Sequence, residues 1–222
     1  MYRRTLIHRS LVASVALACS AFAAPHAAAQ GTWPTGKAIT YLVPFAPGGN
    51  TDTLARLIAQ PLGKALGTPI VIDNKGGAGG SVGSAIAARA PADGYNIMGG
   101  TISSHAINVS LYNKIDYDPI KSFVPVAMLG SGPLVLVVPA SSPYKTLADV
   151  LAAAKAKSGS GGLSSASPGT GTSPHMALEL LAFQSGTKFT HVPYKGSGPA
   201  LQDLLGGQVD MMFDTALVVG PQ

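Results

Sequence analysis

Apolar and polar positions follow two rhythms along this chain. Residues 38–43 form a β-prone run, with Ile39, Tyr41, Leu42 and Val43, that predicts a buried strand. Over residues 51–66, Leu54, Leu57, Ile58, Leu62 and Ala65 recur at the spacing of one helical stripe. Pro61 should kink that helix and Gly67 should end it. A short strand at 69–73, a glycine-entered helix at 81–89 and a strand at 95–99 follow. Strand, helix, strand, helix, strand is the order of a parallel doubly wound sheet.

The pattern then loosens over residues 103–121, with a short helix and turn around 108–112. Two more strands are expected close together, at 124–129 and 134–138. The second is a continuous apolar run between Gly132-Pro133 and Pro139, and it reads as a crossing strand between two lobes. Residues 146–157 predict a helix capped by Thr146, with Asp149 in its first turn and Lys155 and Lys157 at its end. Helices at 173–185 and 198–206 and strands at 188–193 and 209–213 repeat the alternation.

The first 29 residues carry a different signal. Arg3, Arg4 and Arg9 precede an apolar stretch from residue 11 to 24, and Ala27-Ala28-Ala29 offers a cleavage site. The expectation is a secretory signal peptide cut after Ala29 and a periplasmic mature protein. Its three arginines account for three of the net +5 charges, so the mature chain keeps only +2. That charge is spread thinly, which argues against a nucleic-acid surface. The chain's one cysteine, Cys19, lies in the same segment, so no disulfide or cysteine metal site is expected in the mature protein. Roughly 190 residues remain, enough for two lobes of about 100 each. The organisation expected is a first lobe at 30–132, a second at 133–213, and the start of a return to the first lobe at 214–222.

Candidate chemistry concentrates in three glycine-rich turns. The first runs Pro44-Phe45-Ala46-Pro47-Gly48-Gly49-Asn50-Thr51-Asp52, between a strand and a helix that Thr51 or Asp52 should cap, with Asp52 read as a cap or a loop brace rather than a general base. Thr51 is the better candidate for direct contact, because a carboxylate at Asp52 would oppose a bound anion. The second turn spans residues 76–83, with Ala78, Gly79 and Ser81 able to present a wide loop of donors. The third runs from Ser164 to His175 and offers Ser167, Gly169, Gly171 and Thr172 but no fixed charge. Helix N-termini and open backbone amides favour a small anion. No His, Cys or carboxylate set has metal-ligand spacing, so no metal and no cofactor is expected.

A second reading makes the protein a serine esterase. Gly79-Gly80-Ser81-Val82-Gly83 fits the G-x-S-x-G pattern, and His105, His175 or His191 could serve Ser81 with Asp149 behind. That pattern needs its turn to follow the strand at once, whereas five residues intervene after Asp73. The set otherwise holds no activated nucleophile and no general-base pair, and suits binding a carboxylate without reacting with it.

Several ordered blocks carry a resemblance. They are Val43-Pro44-Phe45-Ala46-Pro47-Gly48-Gly49 with Asp52, Asn74-x-x-Gly77-Ala78-Gly79-Gly80 and Ala92-Asp93-Gly94-Tyr95. They continue with Tyr117-Asp118-Pro119, Ser167-x-Gly169-x-Gly171-Thr172-x-x-His175, His191-Val192-Pro193-Tyr194-Lys195-Gly196 and Gly206-Gly207-Gln208-Val209-Asp210. The chain resembles the Bordetella uptake gene (Bug) proteins, the extracytoplasmic solute receptors of tripartite tricarboxylate transporters. The resemblance implies a type II-like, two-lobed α/β periplasmic binding fold, each lobe a mostly parallel sheet flanked by helices. It implies a monomeric receptor for a di- or tricarboxylate, an amino acid or an aromatic acid, handed on to membrane subunits. Pro47, Gly48, Gly49, Thr51 and Asp52 with Ala78, Gly79 and Ser81 would hold one carboxylate, partly through bridging waters. Ser167, Gly169, Gly171, Thr172 and His175 would approach from the second lobe. Such receptors run on for roughly another hundred residues after the block at 206–210. A chain ending at Gln222 is therefore expected to be a truncated product, unstable alone.

Overall fold

The computed structural model describes residues 33–222, so the expected signal peptide lies outside the described residues. Residues from Pro34 onward form one compact unit built on two sheets. In the first sheet, β1 (Ile39–Val43) lies between β2 (Ile70–Asn74) and β3 (Asn96–Met98), parallel to both. Helix α1 (Asn50–Leu66) and helix α2 (Ser81–Ala88) make the crossovers. Tyr41, Val43, Phe45 and Ala55 form the buried core, with Ile58, Ile70, Ile72 and Ile97 packed around it.

The second sheet has order β4-β7-β5-β6. Strand β4 (Leu134–Val137) is antiparallel to β7 (Met211–Thr215), while β5 (Leu163–Ser167) runs parallel to both β7 and β6 (Phe189–Pro193). Helices α4 (Leu147–Ala156), α5 (Ser173–Ser185) and α6 (Ser197–Leu205) flank it, after the four-residue α3 (Asn108–Leu111) and before α7 (Ala216–Val219). One face buries Leu163 and Met211 with Val150 and Leu178; the other buries Ala166 and Met212 with Ala200 and Leu204. Strand residues therefore alternate between two dry cores, although β5 itself carries three serines and so shows no apolar run in the sequence.

Three expectations need correction. Residues 124–129 alternate Val124, Val126 and Met128 like a strand but pair with nothing among the described residues, and these side chains are 88%, 89% and 81% exposed. A strand exists only through its ladder, and no strand among the described residues pairs with this segment. The stripe on α1 is also turned: Leu57 is 63% exposed, and small Ala55 packs against the sheet instead. That helix runs unbroken through Pro61, and Gly67 ends it in the left-handed region with its N–H on the Gly63 carbonyl. The last strand sits two residues later than expected, at Met211–Thr215.

Candidate functional site

The first turn is braced from within. Helix α1 begins at Asn50 with Gly49 as its N-cap, so neither Thr51 nor Asp52 caps it. Asp52 instead reaches back, and its Oδ2 accepts from the Gly48 N–H (2.9 Å) and from Arg56 Nε (3.0 Å). Its Oδ1 accepts from Asn74 Nδ2 at 2.9 Å, and that amide also donates to the Phe45 carbonyl. Burial raises the Asp52 pKa, but these hydrogen bonds and the Arg56 charge outweigh it and hold the carboxyl below its usual range. Asp52 is thus a buried strut between turn, helix and β2. The amides of Gly49, Asn50 and Thr51 have no acceptor among the described residues. They are the orphan donors of a helix start.

The second turn is built from left-handed backbone. Gly77, Ala78, Gly79 and Gly80 all have positive φ, and Ala78 (φ 46°) is the one non-glycine there among the described residues. This places strain where the chain presents its amides. Asn108, fully buried at the start of α3, holds the turn: its Nδ2 donates to the Gly79 carbonyl and to Ser81 Oγ, both at 2.9 Å. No imidazole among the described residues bonds Ser81. His105 bonds Ser104 Oγ, His191 bonds Ser167 Oγ, and Asp149 is taken up capping α4. Asn108 and Ser104 come from the loosely patterned stretch after β3, where a short helix around 108–112 is expected but no bracing role for its side chains.

The third turn is likewise internally satisfied. Ser167 Oγ accepts from the Gly169 N–H and lies 2.6 Å from His191 Nε2. Thr172 Oγ1 donates to the Gly169 carbonyl at 2.7 Å, and His175 Nδ1 accepts from the Gly171 N–H at 3.2 Å. The two imidazoles stack with centroids 4.0 Å apart. Burial, with some repulsion from His175, pushes His191 down to about 4. Burial also lowers His175, against a partial pull upward from Glu179, whose Oε1 is 3.3 Å away. The Ser167–His191 pair has the spacing of a nucleophile and base, but Ser167 is inaccessible and so weakly basic an imidazole makes a poor base. These groups shape a turn.

A fourth turn, Tyr194 to Gly198, closes against the first. The Ala46 N–H donates to the Lys195 carbonyl at 2.9 Å. A Cβ on Gly49 would touch Ser197, and one on Gly198 would strike the Pro47 carbonyl. Between the second and third turns, a Cβ on Gly79 would strike the Thr170 carbonyl. The starts of α1, α2, α5 and α6 therefore meet at one seam between the sheets, each contributing about half a positive charge. Among the described residues no group of three or more His, Cys, Asp or Glu could hold a metal ion.

The sequence matches the tripartite tricarboxylate transporter family receptor model over residues 54–222. The chain belongs to that family. It is 40% identical over 209 residues to the UPF0065 protein of the tcbD-tcbE intergenic region of Pseudomonas sp. strain P51, covering 93% of this chain and 60% of that protein. Protein BugT of Bordetella pertussis is 39% identical over 199 residues, again with 60% of the relative covered. Among solved structures, an R. palustris protein with adipate superposes with a TM-score of 0.80 at 38% identity, covering 85% of this chain and 62% of that one. MatC from Rhodopseudomonas palustris with bound malate gives 0.78 at 38% identity, with 85% and 63% covered. This chain thus spans about three fifths of the length of the receptors it matches. The fold is the family's two-lobed α/β periplasmic binding fold, with mostly parallel sheets flanked by helices.

Proposed function

We propose that this protein is a periplasmic solute receptor that binds one small carboxylate between its lobes and presents it to the membrane subunits of a tripartite tricarboxylate transporter. The observation that carries this reading is the meeting of four helix starts at one seam, where the amides of Gly49, Asn50 and Thr51 have no acceptor among the described residues. A carboxylate there accepts charge-assisted hydrogen bonds from preoriented donors and loses little on leaving water. The amides of Gly49, Thr51, Ala78 and Gly79 and the Ser81 hydroxyl are the direct donors in this reading. Pro47, Gly48 and Asp52 shape the first turn, and Ser167, Gly169, Gly171, Thr172 and His175 shape the turn that comes down from the second lobe. The lobes are residues 30–132 and 133–213, the monomer is the working unit, and nucleic acid is not a partner.

Relatives solved with adipate and with malate support a dicarboxylate as the first class to try. The test is a thermal-shift panel of mono-, di- and tricarboxylates, amino acids and aromatic acids, followed by calorimetric titration. A receptor is stabilised by mass action, by about 2.7 kcal/mol at a hundredfold excess over Kd. At least one acid should raise the melting temperature and bind at one per chain, unchanged after incubation. A panel in which no acid shifts the melt overturns the reading.

A further inference from the structure

One short segment, from the π-helical turn Ser103–Ile107 to Tyr112, touches both glycine turns at once. Asn108 fixes it to the first-lobe side. Its Nδ2 faces the carbonyls of Gly79 and Ala78 (2.9 and 3.4 Å) and Ser81 Oγ, so the amide orientation is settled by two acceptors that only N–H groups can satisfy. The other two contacts cross the seam. Ser103 Oγ accepts from the Ser173 N–H at the start of α5 (3.2 Å), and the Tyr112 hydroxyl donates to the Thr170 carbonyl (3.1 Å). Asn108 Oδ1 is buried without a partner because Gly171 lies against it, where any Cβ would collide with that oxygen. An unpartnered buried acceptor is costly, and water would reach it if the turns parted. The crossing bonds are therefore what holds the two turns together at this end of the seam.

We propose that Ser103 and Tyr112 are positioning residues that latch the second lobe shut over a bound acid, with Asn108 as the anchor of the latch. The proposal rests on the reading that the lobes part and close around a carboxylate. Bonds made only in the closed form slow release without changing encounter, so the latch acts on the dissociation rate. A role in folding alone would lower the melting temperature and leave release untouched.

The experiment uses Tyr112→Phe, Ser103→Ala and the double variant, each compared with the parent by stopped-flow binding of whichever panel acid binds. Each single change should speed release about three- to tenfold, the double change more, with the association rate held within about twofold. A second arm needs no acid: labels on Lys64→Cys in α1 and Lys155→Cys in α4, one exposed helix position per lobe, report the interlobe distance. The variants should shift the unliganded distance toward a wider separation. Unchanged release rates and unchanged distances overturn the latch, even if the variants melt lower. If no acid binds the parent, the receptor reading fails, and the distance arm alone decides the latch.

Discussion

Protonating His175 would take from the Gly171 N–H the acceptor that holds the third turn, and protonating His191 would repel its stacked neighbour 4.0 Å away. Both imidazoles sit below their ordinary pKa of 6.5, His191 at about 4, because burial disfavours the charged ring. The sign follows from linkage. An unfolded histidine binds protons from about pH 6.5 downward while the folded one resists until about pH 4, so stability is complete above that window and lost as the pH falls through it. His191 accounts for about 1–2 kcal/mol once its partial exposure to solvent is allowed for. Asp214 works in the opposite direction, since burial raises its carboxyl above the ordinary range. Chemical denaturation from pH 7.5 to 4.5 should show the loss, and His191→Gln should flatten it; a profile identical to the parent's would refute the assignment.

Among the elements, the glycine turns are as consequential as the strands. A β-carbon on Gly79 has no space between its own backbone and the Thr170 carbonyl. Gly79→Ala should fold, at a cost of about 1–2 kcal/mol for its left-handed backbone, but should not close. Titration calorimetry is expected to show carboxylate binding weakened at least a hundredfold while the unliganded melt moves only a few degrees; near-parental affinity would show that the seam does not close on its ligand there. The same turns explain what could be read in advance. Strand–helix alternation was legible where strands are apolar runs, as in β1 and β4, whereas β5 (Leu163–Ser167) carries three serines and its residues from Ser164 onward were read as turn. Thr146 with Asp149 was legible as a cap because both partners are local, and the capping box is present. Of the two readings of Asp52, cap or loop brace, the brace is the one found, and the sequence could not choose between them because one partner, Asn74, lies 22 residues away. Ser103, Asn108 and Tyr112 left no trace, because isolated polar side chains whose partners lie 27 to 70 residues off produce no periodicity.

Across the whole molecule the two sheets are unequally clothed. The four-stranded sheet carries a core on each face, whereas the three-stranded sheet carries one, and Val82 and Ile86 on its helix α2 remain 45% and 41% exposed. The family likeness was legible in ordered blocks of turn residues, because turns that need glycine, proline or a short polar side chain tolerate few substitutes. Which acid the proposed receptor would take was not legible, since backbone amides that recognise a carboxylate are indifferent to what is attached to it.

The unpaired stretch from residue 124 to 130 matters at the bench. Its backbone forms no hydrogen bond among the described residues, and Val124, Val126 and Met128 stand in water. An extended, apolar, unpaired segment is both what a protease active site accepts and what neighbouring molecules pair with on concentration. Brief thermolysin digestion under native conditions should nick the chain first before Val126 or Met128, read by intact-mass spectrometry; Pro125 protects the bond before Val124. First cuts within β5 or β7 would instead show that the second sheet is the weaker part. Storage conditions for this protein should therefore be set by colloidal behaviour as much as by melting temperature, with dilution and a charged, non-pairing substitution such as Val126→Lys as the first remedies.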